Sequence, residues 1–197
     1  GKTTIGENSA IWMTVYGHRK FVPIFSADAK SAGIIVDSIK MELAENDLLH
    51  EDFPEVCEAI RKLEGKVQRC VSQTHNGKLT HVEWKAGLIV LPSIDGSKAS
   101  GAIITAVGIT AVSRGMRHKR TDGTVARPDF IILDDPQTDE SARSPDQCEK
   151  RLNIIKKAIL KTTGHQATLG VCMNATVIEA DDMVDQLLDP KKNPAWQ

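Results

Sequence analysis

The chain has 197 residues, with 25 Lys and Arg against 26 Asp and Glu, for a formal net charge of −1. That length supports one sizeable α/β core. A balance so close to zero excludes nucleic-acid binding through overall charge, so any DNA contact has to come from a local patch.

Cys57, Cys70, Cys148 and Cys172 form no C-x-x-C pair, and the histidines do not cluster at zinc spacing. Scattered thiols predict a reducing, intracellular setting. With no apolar run of membrane-spanning length and no visible signal peptide, a soluble, cytoplasmic protein is expected.

In chain order, the sequence opens on Gly1-Lys2-Thr3-Thr4, the closing part of the phosphate-binding pattern G-x-x-x-x-G-K-[ST]. In that pattern glycines let backbone N–H groups approach phosphate oxygens, the lysine reaches the β- and γ-phosphates, and the hydroxyl ligates Mg²⁺. A motif cut at residue 1 predicts that its strand and loop lie upstream. Ile5 to Tyr16 then reads as a helix whose N-terminus faces the phosphates, with Ile5, Ala10, Ile11, Met13 and Val15 as its apolar positions.

Phe21 to Phe25 is a short strand, and Pro23 places it at an edge or a strand start. Asp28 caps a helix in which Ala32, Ile35, Ile39 and Leu43 recur at helical spacing. A second amphipathic segment, Pro54 to Leu63, carries Val56, Ile60 and Leu63 on one face. Val71 to Thr74 and Leu79 to Trp84 flank Asn76-Gly77 and predict a hairpin. Leu88 to Leu91 and Ala102 to Ile109 continue as strands, separated by a flexible Ser93 to Gly101 segment.

Arg114, Arg117, Lys119 and Arg120, with His118, make the densest basic run in the chain. Such a run can contact DNA phosphates without reading sequence, or simply keep a loop solvated.

Phe130-Ile131-Ile132-Leu133 is continuously apolar, as in a strand buried on both faces of a sheet. Asp134, Asp135 and Pro136 follow at once, so the strand delivers adjacent acids to its C-terminal end, where open α/β sheets bind ligands. In nucleotide-hydrolysing folds this is the Walker B element, one acid holding Mg²⁺ and the other polarising the attacking water. The same residues also suit a solvated Asp-Asp-Pro turn.

Ser144-Pro145-Asp146-Gln147 marks a helix start with a capping serine, and Cys148, Leu152, Ile155 and Ile159 follow on one face. Ala167 to Met173 is another apolar strand, ending at Asn174-Ala175-Thr176. Asp181 to Leu188 reads as a short helix, with Thr176 or Asp181 as a cap, and Pro190 to Pro194 as an exposed, linker-like end. Alternating strands and helices of this kind predict a three-layer α/β domain with a largely parallel sheet.

Four segments in this order resemble the ATPase domain of the large terminase subunit of tailed bacteriophages. Gly1-Lys2-Thr3-Thr4 matches the end of its Walker A loop. Ser113-Arg114-Gly115 resembles the Arg-Gly that precedes its Walker B strand. Ile131 to Pro136 resembles a Walker B variant with a second aspartate in place of glutamate. Asn174-Ala175-Thr176, followed by Asp181-Asp182-Met183, resembles its coupling motif.

The resemblance implies a RecA-like P-loop NTPase fold and an ATP-driven motor that moves double-stranded DNA into a procapsid. Gly1, Lys2, Thr3 and Thr4 would bind ATP, with Thr3 and Asp134 on Mg²⁺ and Asp135 orienting the attacking water. Glu140 is the second choice for that last role. Arg114 would stabilise developing charge, and Asn174 and Thr176 would sense the nucleotide.

The implied partners are DNA, the small terminase subunit and the portal protein of the procapsid, with the motor as a homo-oligomeric ring in the cytoplasm of a bacterial host. The upstream part of Walker A, the adenine-contacting segment and the family's C-terminal nuclease domain do not fall within these residues. Two other readings stay open, a helicase-like or other translocase of the same fold and a non-catalytic α/β interaction module.

Overall fold

The structure, a computed structural model, describes residues 1–111, 115–161 and 168–194. Its elements run α1 (Lys2–Val15), β1 (Phe21–Ser26), α2 (Ala29–Glu45), α3 (Asp47–Asp52) and α4 (Pro54–Arg61). The short strands β2 (Thr74–His75), β3 (Lys78–Leu79), β4 (Glu83–Lys85) and β5 (Leu88–Val90) follow. Then come β6 (Ile103–Gly108), β7 (His118–Lys119), β8 (Val125–Ala126), β9 (Phe130–Asp134), α5 (Asp139–Ala142), α6 (Pro145–Lys157), β10 (Gly170–Asn174) and α7 (Met183–Leu188).

The central sheet has six strands in the order β10-β9-β1-β6-β5-β4. β10, β9, β1 and β6 are parallel, whereas β5 and β4 add on antiparallel, so the sheet is mixed but mostly parallel.

β9 shows why the fold closes around it. Side chains alternate across a strand, so Phe130 and Ile132 enter the core built with α1, α2 and α4, while Ile131 and Leu133 enter the core built with α6 and α7. A strand with helices on both faces needs apolar residues throughout, and each fully buried Ile or Leu stabilises the fold by about 1.5–3 kcal/mol.

β1 corrects the expectation set by its proline. All six of its residues are buried, and it lies mid-sheet between β9 and β6. Pro23 is tolerated because the ladder to β9 is registered only from Ile24 onward. Below that point Asp129 organises the junction instead. Its carboxylate accepts Lys20 N at 2.7 Å and Phe21 N at 2.9 Å, and its carbonyl accepts Gly170 N at 3.1 Å.

Other boundaries move as well. α1 begins at Lys2, and its buried face is Gly6, Ala10, Ile11, Thr14 and Val15, leaving Ile5 61% exposed. The Asn76-Gly77 hairpin is confined to β2 and β3, because Val67–Ser72 forms a 3₁₀ turn. Ser93 to Gly101 is tied down rather than loose, with Ser93 N donating to Thr80 O, Ser97 Oγ to Glu55 and Gly101 N to Pro92 O.

Ser144 stands at the head of α6 without a capping side-chain bond. Pro190 to Pro194 is exposed as expected except at Asn193, which is buried and bonds both Asp189 O and Gln186 O, so this stretch is a bonded turn and not a loose linker. No helix among the described residues is long and apolar enough to cross a membrane.

Candidate functional site

Because β1, β6, β9 and β10 run parallel, their ends Ser26, Gly108, Asp134 and Asn174 share one edge of the sheet. α1 points its first turn at that edge, which brings residues far apart in sequence together. Thr3 Oγ1 donates to Asp134 Oδ2 at 3.0 Å across 131 positions. Asn174 Nδ2 bridges Lys2 O at 3.1 Å and Asp134 Oδ1 at 3.4 Å. The Lys2 ammonium donates to Ala175 O at 3.2 Å and to the Thr176 hydroxyl.

This closeness depends on the small face of α1. A Cβ at Gly6 would stand 3.0 Å from Asn174 Nδ2, 3.5 Å from Ile132 Cγ2 and 3.8 Å from Asp134 Oδ1. A larger side chain there would push the first turn of α1 away from the acid.

Asp134 is 5% exposed, and its hydrogen-bond partners Thr3 and Asn174 are neutral donors. Burial pushes its carboxyl above the ordinary value, the neighbouring Asp135 adds to that rise, and the bonds from Thr3 and Asn174 with the Lys2 charge offset it only in part. A buried carboxylate costs free energy unless charge is brought to it.

Asp135 is exposed and sits at φ 40°, a left-handed conformation that costs a non-glycine residue of order 1–3 kcal/mol. Its N–H donates to Asn174 O at 2.8 Å, so the turn is held by β10.

Lys2, Thr3, Asp134, Asn174 and Thr176 thus form one bonded group, with Asp135 joined through its backbone. Gly1 and Thr4 are exposed at the start of α1. Glu140 is exposed in the first turn of α5, and Thr138 caps that helix through Ser141 N. Arg114 lies outside the described residues.

Of the rest of the basic run, His118 and Lys119 form β7 of the β7–β8 hairpin, with Arg117 just before it and Arg120 just after it. His118 there bonds Glu83 and lies against Phe21 at the start of β1, the edge opposite Asp134.

Gly6 and Gln137 escape a reading of the sequence, and Asp182 enters it only within the coupling resemblance. Gly6 carried a usable signal, since Thr3, Gly6, Ala10 and Thr14 line one helical face with small side chains. Asp182, not Asp181, caps α7 by accepting Asp185 N, while Asp181 turns the chain at φ 61°. Gln137 is buried beside Asp182 and gave no periodic signal at all.

Among the described residues, no group of three or more His, Cys, Asp and Glu side chains is arranged to hold a metal ion. No family model matches the chain, and no curated protein matches it.

Proposed function

We propose that this chain is the Mg²⁺-dependent ATP-hydrolysing motor domain of a large terminase, a RecA-like P-loop NTPase that drives double-stranded DNA into a viral procapsid. The observation that carries the reading is the bond from Thr3 to Asp134, which unites the phosphate-loop residues with the acid at the end of β9.

The donor set suits the cofactor. A hydroxyl and a carboxylate, Thr3 and Asp134, are hard oxygen ligands, and Mg²⁺ is commonly held by one or two protein oxygens with phosphates and water supplying the rest. When bound, Mg²⁺ neutralises charge developing on the phosphates. Lys2 contributes a positive charge for phosphate oxygens beside the N-terminus of α1, where unpaired N–H groups favour anions. Asp135 orients the attacking water, and Arg114 stabilises developing charge. Asn174 and Thr176, bonded to the loop on one side and the acid on the other, sense the nucleotide.

The sheet order suits the RecA-like P-loop arrangement. Among the described residues β10 is paired only with β9, and its apolar residues Val171, Cys172 and Met173 are half-buried. That edge suits a further parallel strand leading through a glycine-rich loop into Gly1, and a glycine-rich strand and loop encoded directly before Gly1 would favour this arrangement.

The exposed Arg117, just before β7, and the exposed Lys119 within it are offered as DNA-phosphate contacts. The proposed partners are the small terminase subunit, the portal protein and further copies of the chain in a ring, in the cytoplasm of a bacterial host.

The test is ATP hydrolysis by the full-length protein, with and without DNA and procapsid. Mg²⁺-dependent turnover stimulated by DNA is expected. Turnover without packaging would favour a helicase-like enzyme, and no turnover under any condition would favour an interaction module.

A further inference from the structure

The loop between β9 and α5 is fastened to the segment after β10 by a buried glutamine. Gln137 is 6% exposed, and its Nε2 donates to Thr176 O at 3.1 Å and to Asp182 Oδ2 at 2.8 Å. Both targets are acceptors, so only the NH₂ end of the amide fits there. Turned over, the amide would set its oxygen against a carbonyl and a carboxylate.

Asp182 is the stronger attraction. Burial pushes its carboxyl up, but donation from Asp185 N, Glu179 N, Ile178 N and the Gln137 amide together holds it below its ordinary value. It is therefore an ionised group, 1% exposed, at the head of α7.

The same loop is held at two further points. Asp135 N donates to Asn174 O at 2.8 Å, and Arg151 Nη1 from α6 donates to Pro136 O at 2.6 Å. Thr176 is gripped from both sides, its hydroxyl by Lys2 and its carbonyl by Gln137. A continuous series of bonds thus runs from the head of α1 through Lys2, Thr176, Gln137 and Asp182 to the head of α7.

We propose that Gln137 is a positioning residue that holds the Asp135 backbone in register with residues 174–182, so that movement of Thr176 is passed to Asp135 and to α7 together. This rests on the nucleotide-site reading above and adds the route by which that site reaches α7.

Gln137→Met keeps the length and apolar stem of the side chain while removing both donors. In the full-length protein without nucleotide, the Asp135 amide should exchange at least about tenfold faster, and the Asp185 amide, still bonded to Asp182, should stay within about twofold of wild type. With ATP, kcat per folded molecule, the folded fraction being measured by circular dichroism, should fall about tenfold while KM stays within about twofold.

An Asp135 amide as protected as in wild type, or an unchanged kcat, overturns the proposal. If wild-type protein hydrolyses no ATP, the nucleotide reading fails, and the exchange measurement still decides whether Gln137 holds the loop. Gln137→Asn, one methylene too short to reach both acceptors, gives the same readings should the Met variant not fold.

Discussion

Thr3→Val exchanges a hydroxyl for a methyl of similar size and removes the bond donated to Asp134 Oδ2 at 3.0 Å. The acceptor is buried, so water does not freely replace the lost donor. A hydrogen bond to a charged group contributes about 1.5–3 kcal/mol, and because Thr3 is only half-buried the expected loss is about 1–2 kcal/mol. At this chain length each kcal/mol lowers Tm by roughly 2–4 °C.

Asp134→Leu supplies the control, since it removes a costly buried charge and leaves Thr3 nothing to donate to. In that background Thr3→Val should be nearly silent. A double-mutant cycle from urea unfolding, followed by circular dichroism, should give a coupling energy of about 1–2 kcal/mol. If the two substitutions add to within about 0.5 kcal/mol, the bond is not formed in solution and the reasoning fails.

Asp134→Asn should raise thermal stability near neutral pH. Because the folded carboxyl sits above its ordinary 3.8, the folded chain holds that proton more tightly than the unfolded chain. The ionised acid therefore weighs against folding above its raised pKa, and the penalty fades as pH falls through that value towards 3.8. Melting curves should show the variant's advantage shrinking on acidification, and a growing advantage would reverse the sign.

Gly6→Ala gains about 0.5–1 kcal/mol of helix propensity but crowds Asn174, so its net effect should stay within about 1 kcal/mol, whereas Gly6→Leu should cost about 1–3 kcal/mol. Equal urea midpoints for Gly6→Leu and wild type would place α1 further from β10. Ile132→Ala should cost about 2–5 kcal/mol and Ile5→Ser less than about 0.5, and the opposite ranking would mean that α1 is rotated.

Local chemistry was legible in the sequence. The Phe130–Leu133 run, the Asp28 cap confirmed by Ser31 N, and the spacing of Ala32, Ile35, Ile39 and Leu43 all depend on neighbours in the chain. So did the placing of acids at a strand end. What depends on distant partners was not legible.

Pro23 reads as an edge or strand-start residue until the register with β9 shows where the ladder starts. Ile5 looks like core until α1 settles with its glycine face against the sheet. Val71, expected in a strand, is 82% exposed in a 3₁₀ turn. Gln137 and Asp182 form a buried polar pair across 45 positions, and such a pair leaves no periodic pattern because the partners lie far apart in the chain. The clustering of Lys2 and Thr3 with Asp134 followed from the chemistry the two motifs would share, rather than from periodicity.

The nucleotide-site reading is tested most directly by comparing Asp134→Ala and Asp135→Asn in the full-length protein, measuring Mg²⁺-dependent ATP binding and turnover side by side. Asp135→Asn keeps size and hydrogen bonding, so binding should persist while hydrolysis falls by at least about 100-fold. Asp134→Ala should lose Mg²⁺-dependent binding as well as turnover. If both variants bind and hydrolyse ATP as the wild type does, the two acids only end a strand and the site is not a nucleotide site.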